Sequence, residues 1–205
     1  MARRTREEAE QTRQLLLATG LKLFSEQGVE ATTLKQIAQV AGVTHGALYW
    51  HFRNRADLLQ QIHHAWMLPF EPVWLEQCQA LQQDALAALK LYLLGVLDGF
   101  EQDAEACALY RVFYQPVVLC NDLQPLSDSL EQNRELWLDQ LRRFLKQARK
   151  QKQLRKKPDP VELAFTLQQA MNGLLHEWLR TGRRFGLKVR GEQLVELLFA
   201  GLPYK

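Results

Sequence analysis

TLKQIAQVAGVTHGALYWHFR, residues 33–53, carries two helix starts, at Thr33 and Thr44, with Gly42 between them. Thr33 and Gln36 fit a capping box, in which the Thr hydroxyl accepts from a backbone N–H and the Gln side chain reaches back. Ile37, Ala38 and Ala41 then form one apolar face, Gly42 permits a sharp turn, and Val43 packs beneath it. The second helix, about 44–51, opens on small or hydrogen-bonding residues, Thr44, His45, Gly46 and Ala47. Small groups at such a start let a backbone approach DNA closely, and free N–H groups there can meet phosphate. Tyr49, Trp50 and His51 follow, with polar tips on flat rings. Spacing alone is equally that of a plain helical hairpin with a glycine turn, and of a helix-turn-helix.

Upstream, Thr5 and Glu8 fit a capping box, an apolar stripe runs through Leu16, Gly20, Leu23 and Phe24, and Gly28 is a stop. Gly20 inside this helix costs roughly 1 kcal/mol relative to Ala. Downstream, Asn54 and Asp57 open a fourth helix through Leu58, Leu59 and Ile62. Pro69 and Pro72 should kink or break it near Met67–Phe70, because proline removes an N–H and clashes with the preceding turn. Further helical patterns cover about 84–101, 104–114, 125–152, 160–181 and 190–201, about nine helices in all. Strand alternation and internal repeats are absent from the sequence.

The 205 residues hold 26 Lys+Arg and 23 Asp+Glu, with 47% hydrophobic residues, which excludes collagen-like, disordered and disulfide-rich classes. The net charge of +3 hides an asymmetry. Residues 1–55 carry eight bases against five acids, so the whole excess sits there and 56–205 balances. That suggests a polyanion-binding N-terminal module. Residues 142–157, RRFLKQARKQKQLRKK, hold nine bases and no acid, so the rest of 56–205 is net acidic and suited to cationic ligands. The basic run reads as a solvated helix end or as a second anionic contact. Three widely spaced cysteines, Cys78, Cys107 and Cys120, read as reduced packed thiols, with redox sensing by one of them as the other reading. The charged N-terminus and the lack of an 18-residue apolar run point to a cytoplasmic chain without membrane contact.

Leu23-Phe24, Gly28, Thr32-Thr33, Ile37-Ala38, Ala41-Gly42-Val43, Gly46-Ala47-Leu48-Tyr49-Trp50-His51-Phe52 and Asp57-Leu58-Leu59 together resemble the DNA-binding domain of TetR-type regulators. The opening MARRT with Gly-x-Leu-Tyr-Trp-His-Phe is most similar to the AcrR-like branch, repressors of multidrug efflux genes. The resemblance is dense over about 1–60 and loose beyond. It implies an all-α homodimer with a three-helix helix-turn-helix domain, 1–55, and a helical ligand-binding and dimerisation domain, 56–205. It implies double-stranded operator DNA and a small-molecule effector as partners, with neither cofactor nor metal. Phosphate contacts would fall on Thr33, Tyr49, His51 and Arg55, beside Trp50. Base-edge contacts would fall on Thr44, His45, Gly46 and Ala47, with Arg3 and Arg4 as a minor-groove arm. His45 departs from the Arg frequent in that branch, and Gly20 from the usual Ala. If these roles hold, Arg55→Ala flattens the salt dependence of binding.

In the remainder, His63, Met67, Phe70 and Trp74 fall on one helical face, Tyr110, Phe113 and Tyr114 on another, and Trp137, Phe144 and Met171 add bulk. These rings fit a core or a drug-sized cavity. The resemblance implies such a cavity, and a four-helix dimer interface from the last two helices through Leu163, Leu167, Ala170, Leu174, Trp178, Leu194, Leu197 and Leu198. It also makes the Pro69/Pro72 kink a joint through which ligand moves the recognition helices. Enzyme signatures such as G-x-S-x-G, a phosphate loop or H-E-x-x-H are missing, and adjacent His63 and His64 point to different helix faces. A regulator of metabolic genes, an activator and a non-DNA-binding interaction protein are the competing functions.

Overall fold

The computed structural model describes residues 6–115 and 120–204, in which ten α-helices and two short 3-10 turns are joined by loops. The helices are α1 (Arg6–Gln27), α2 (Leu34–Val40), α3 (His45–His51), α4 (Arg55–Ala65), α5 (Phe70–Gln77), α6 (Ala85–Gln102), α7 (Ala104–Phe113), α8 (Ser127–Lys150), α9 (Pro160–Arg180) and α10 (Leu187–Ala200). The only β pairing among the described residues is one isolated bridge, Leu154 with Tyr204. The chain forms two compact units, Met1–Met67 with Ala108–Leu130, and Leu68–Cys107 with Glu131–Lys205.

The first unit is built on α1. Its stripe Leu16, Leu17, Gly20, Leu21 and Phe24 is buried, and so are Leu58, Leu59 and Ile62 of α4. Gly20 has a packing reason as well as a propensity cost. A Cβ there would lie 3.2 Å from Ile62 Cδ1 and 3.3 Å from Leu58 Cδ2, so the glycine lets α4 come close. Thr32, completely buried, donates its hydroxyl to the Gly28 carbonyl at 2.8 Å. The Thr5 cap lies outside the described residues.

The break expected near Met67–Phe70 is complete, so the fourth helix is two helices and the described residues hold ten α-helices, one more than the about nine patterns of the sequence. α4 ends at Ala65, and Pro69 stands at the N-cap of α5. Pro72 falls in the first turn of α5, where its missing N–H would have no intrahelical acceptor anyway. Hence His63, Met67, Phe70 and Trp74 do not share one helical face: Met67 lies in the intervening loop.

In the second unit α6 is buried through Leu86, Leu89, Tyr92, Leu93, Val96, Leu97 and Phe100. Val73 of α5 lies against Gly95, and Pro69 against Gly99. A Cβ on Gly99 would sit 2.7 Å from Pro69 Cβ, on a ring that cannot rotate away. Gly99→Ala is therefore expected to destabilise the fold by about 1–2 kcal/mol, overpacking outweighing the gain in helix propensity. A fall in the urea midpoint checks this. α10 starts at Leu187, three residues earlier than the apolar pattern indicates. Its N-cap is Gly186, which offers no side-chain oxygen, and the Glu101 carboxylate accepts from Leu187 N (2.9 Å) and Lys188 N (3.1 Å) instead.

Candidate nucleic-acid interface and aromatic clusters

Three local devices hold α2 and α3. Thr33 Oγ1 accepts from Gln36 N at 3.2 Å while Thr33 N donates to Gln36 Oε1 at 2.8 Å. Gly42 adopts φ +68°, the left-handed conformation that closes a helix, and Val43 N donates back to the Ala38 carbonyl at 3.0 Å. Thr44 Oγ1 accepts from Ala47 N at 3.1 Å and starts α3. Leu48 and Phe52, both fully buried, anchor α3 to the unit. The other face of α3 points outward: His45 and Gly46 are exposed, Tyr49 is 50% and Trp50 73% exposed.

Large aromatic side chains so exposed beside a basic module suit a partner of flat rings and phosphates. The His45 and Tyr49 rings meet edge-on, centroids 4.7 Å apart and planes at 86°, and Trp50 meets His51 at 4.6 Å and 88°. Thr33, Thr44, His45, Gly46, Tyr49 and Trp50 are exposed on α2, α3 or their caps, with Ala47 and His51 half-buried alongside. Arg3 and Arg4 lie outside the described residues.

Arg55 has other partners. Its Nε donates to Asp122 Oδ2 at 2.8 Å, and its Nη2 pairs with the same carboxylate. Its Nη1 donates to the carbonyls of Thr32 (3.1 Å) and Glu30 (3.3 Å). The guanidinium thus ties the α1–α2 turn, the start of α4 and the segment before α8 together within the first unit. Asp122 carries no local sequence signal for this role, being 67 positions away.

The aromatic residues singled out in the sequence fall into two clusters. In the first unit the His63 ring meets Phe113 at 5.2 Å, its Nε2 lies 3.5 Å from the Tyr114 hydroxyl, and Tyr110 stacks on Tyr114 at 5.8 Å. Burial, with the neighbouring His64, holds the His63 imidazole below its usual titration range. The unfolded chain takes up that proton near pH 6.5 and the folded one resists it. Stability is therefore expected to fall as pH drops through about 6.5 towards the depressed folded value. His63→Gln should flatten that dependence in urea titrations at pH 7.5 and 5.5.

In the second unit Phe70 lies 4.2 Å from Trp137 and 5.6 Å from Phe100. Trp74 meets Phe144 edge-on at 5.2 Å, under the Arg143 guanidinium. A polar row crosses these rings: the Tyr92 hydroxyl donates to Gln140 Oε1 at 2.6 Å, and Gln140 Nε2 donates to Glu71 at 2.7 Å. Burial and the Glu71 charge push the Tyr92 phenol far above its normal value, so it stays a donor. Trp137 Nε1, shut off from solvent, faces this hydroxyl without a well-formed hydrogen bond. Met171 is buried in α9, whereas Met67 is 68% exposed and joins neither cluster.

The eight residues of the expected dimer interface also divide. Leu167 and Trp178 are buried within the unit, where Trp178 Nε1 donates to the Phe185 carbonyl at 2.9 Å. Leu163, Ala170, Leu174, Leu194 and Leu198 are half-buried, and Leu197 is 73% exposed. Val161 and Phe165 on α9 and Val189 on α10, absent from the sequence-based set, are exposed too. In the basic run, Arg142 and Arg143 pair with Glu135 and Asp139, and Arg149 donates to the Lys156 and Pro158 carbonyls. Lys146, Lys150, Lys152, Lys156 and Lys157 are exposed. Among the described residues no helix is long and apolar enough to cross a membrane.

Comparison with known proteins gives two family matches: "bacterial regulatory proteins, tetR family" over residues 16–62, and "tetracyclin repressor-like, C-terminal domain" over 121–184. The HTH-type transcriptional regulator AcrR of Shigella flexneri is 31% identical over 201 residues, covering 97% of this chain and 92% of that protein. Among solved structures, NalD, the secondary repressor of the MexAB-OprM multidrug efflux pump in Pseudomonas aeruginosa, superposes with a TM-score of 0.80 at 27% identity, covering 97% of this chain and 98% of that one. A SmeT–triclosan complex matches with a TM-score of 0.68 at 25% identity, over 95% of this chain and 92% of that one.

Proposed function

This chain belongs to the TetR family of bacterial regulatory proteins, and on that premise we propose that it is a homodimeric, cytoplasmic, non-enzymatic repressor that binds operator DNA upstream of multidrug efflux genes and leaves it when a small molecule binds. The observation that carries this reading is α3, its Leu48 and Phe52 locked inside and its His45, Gly46, Tyr49 and Trp50 presented to solvent. A two-fold dimer places two such helices in successive major grooves, roughly 34–36 Å apart. The half-exposed leucines of α9 and α10, with Phe165, Val189 and Leu197, supply apolar surface for the second subunit. The Phe70–Trp137–Phe100 rings and the Glu71–Gln140–Tyr92 row supply flat walls and polar handles for an aromatic effector.

Occupation of that cluster displaces α5, whose N-cap is Pro69, and changes the spacing of the two recognition helices. The test is fluorescence anisotropy with duplex from the chain's own upstream region, over a salt series, with triclosan as probe effector. Tight, salt-dependent binding that triclosan reverses is expected. Binding no tighter than to random duplex of equal length refutes the reading.

A further inference from the structure

The pairing of His45 with Tyr49 assigns Tyr49 a role besides its hydroxyl. We propose that the Tyr49 ring is a positioning residue that aims the His45 imidazole at a guanine edge, so that base preference at one operator position depends on both rings. This rests on the operator-binding reading above.

Residues four apart on a helix stand one above the other, so a ring at position 49 covers the side of the ring at 45. Here the two rings touch at 4.7 Å with planes at 86°, the edge-to-face arrangement that aromatic quadrupoles favour. His45 is exposed at the first position of α3, and Gly46 beside it has no side chain with which to restrain the imidazole. Tyr49 supplies that restraint, and does so with half its own surface still in solvent.

Orientation matters because imidazole reads a base through single nitrogens. A neutral ring has one N–H donor and one bare acceptor, unlike the rigid fork of Arg. In the major groove guanine offers two adjacent acceptors, N7 and O6, whereas adenine pairs N7 with an amino donor. An imidazole N–H aimed at N7 meets an acceptor on either purine, whereas one held towards position 6 meets O6 on guanine and a repelling N–H on adenine. A ring held edge-on in that direction therefore favours guanine, and one free to turn back to N7 discriminates less. Immobilising one such side chain beforehand corresponds to roughly three- to tenfold in affinity for the matching base.

The test uses the full-length chain and a panel of upstream-region duplexes varied one base pair at a time, with His45→Ala, Tyr49→Phe, Tyr49→Leu and the double variant His45→Ala/Tyr49→Leu. His45→Ala identifies the base pair read. At that pair Tyr49→Leu is expected to lose the guanine preference by three- to tenfold, with the double variant no flatter than either single one. Tyr49→Phe, which keeps the ring, is expected to keep the preference while weakening binding to all duplexes alike. Thermal melts confirm that the exposed substitutions leave the fold intact. Parental preference in Tyr49→Leu, or its loss in Tyr49→Phe, overturns the proposal while leaving operator binding standing. A parent chain without sequence preference overturns the functional reading itself.

Discussion

Leu48→Ala is expected to abolish DNA binding and to destabilise the first unit by about 3–5 kcal/mol, the cost of a cavity where a fully buried leucine was. Trp50→Ala, two positions on, is expected to leave the urea midpoint almost unmoved, since the removed ring is 73% exposed. It should nevertheless weaken binding to operator and to random duplex by tenfold or more. Both side chains belong to a seven-residue helix, and they differ only in which way they face. Leu48 closes the space that α2 and α3 share, so its loss frees α3 from the angle that its caps and the Gly42 turn impose. The pair of variants separates stability from contact. If Trp50→Ala melted the domain as Leu48→Ala does, the outward orientation of α3 would be refuted.

The second large effect is expected from Arg55→Ala: a loss of about 2 kcal/mol of stability, with the salt dependence of operator binding unchanged. The estimate lies between the near-zero worth of a surface pair and the cost of breaking a fully buried one. The Arg55 and Asp122 side chains keep 27% and 26% of their exposure, and removing the guanidinium also strips the Thr32 and Glu30 carbonyls of a donor. Asp122→Asn should destabilise less, because the amide oxygen still accepts from Arg55. The resemblance assigns Arg55 to phosphate, and a phosphate contact releases counterions, so its loss would flatten the plot of log affinity against log salt by about one unit. A flattened slope with unaltered stability would return Arg55 to the DNA backbone.

The helix-turn-helix was legible because its devices are short-range. Thr33 with Gln36, Thr44 with Ala47, Asn54 with Asp57 and the left-handed Gly42 each act within three or four residues, so residue types at fixed spacing announce them. Other features could not be read this way. The cap of α10 comes from Glu101 on another helix, the partner of Arg55 is Asp122, and the aromatic residues sort into two clusters, one in each compact unit. Of the leucines on α9 and α10 the sequence marks all as apolar, yet Leu167 is buried and Leu197 is mostly exposed. Hydrophobicity states that a side chain seeks cover. Which neighbour provides it, or whether a second molecule must, depends on the packing of helices far apart in sequence, and only the tertiary structure decides that.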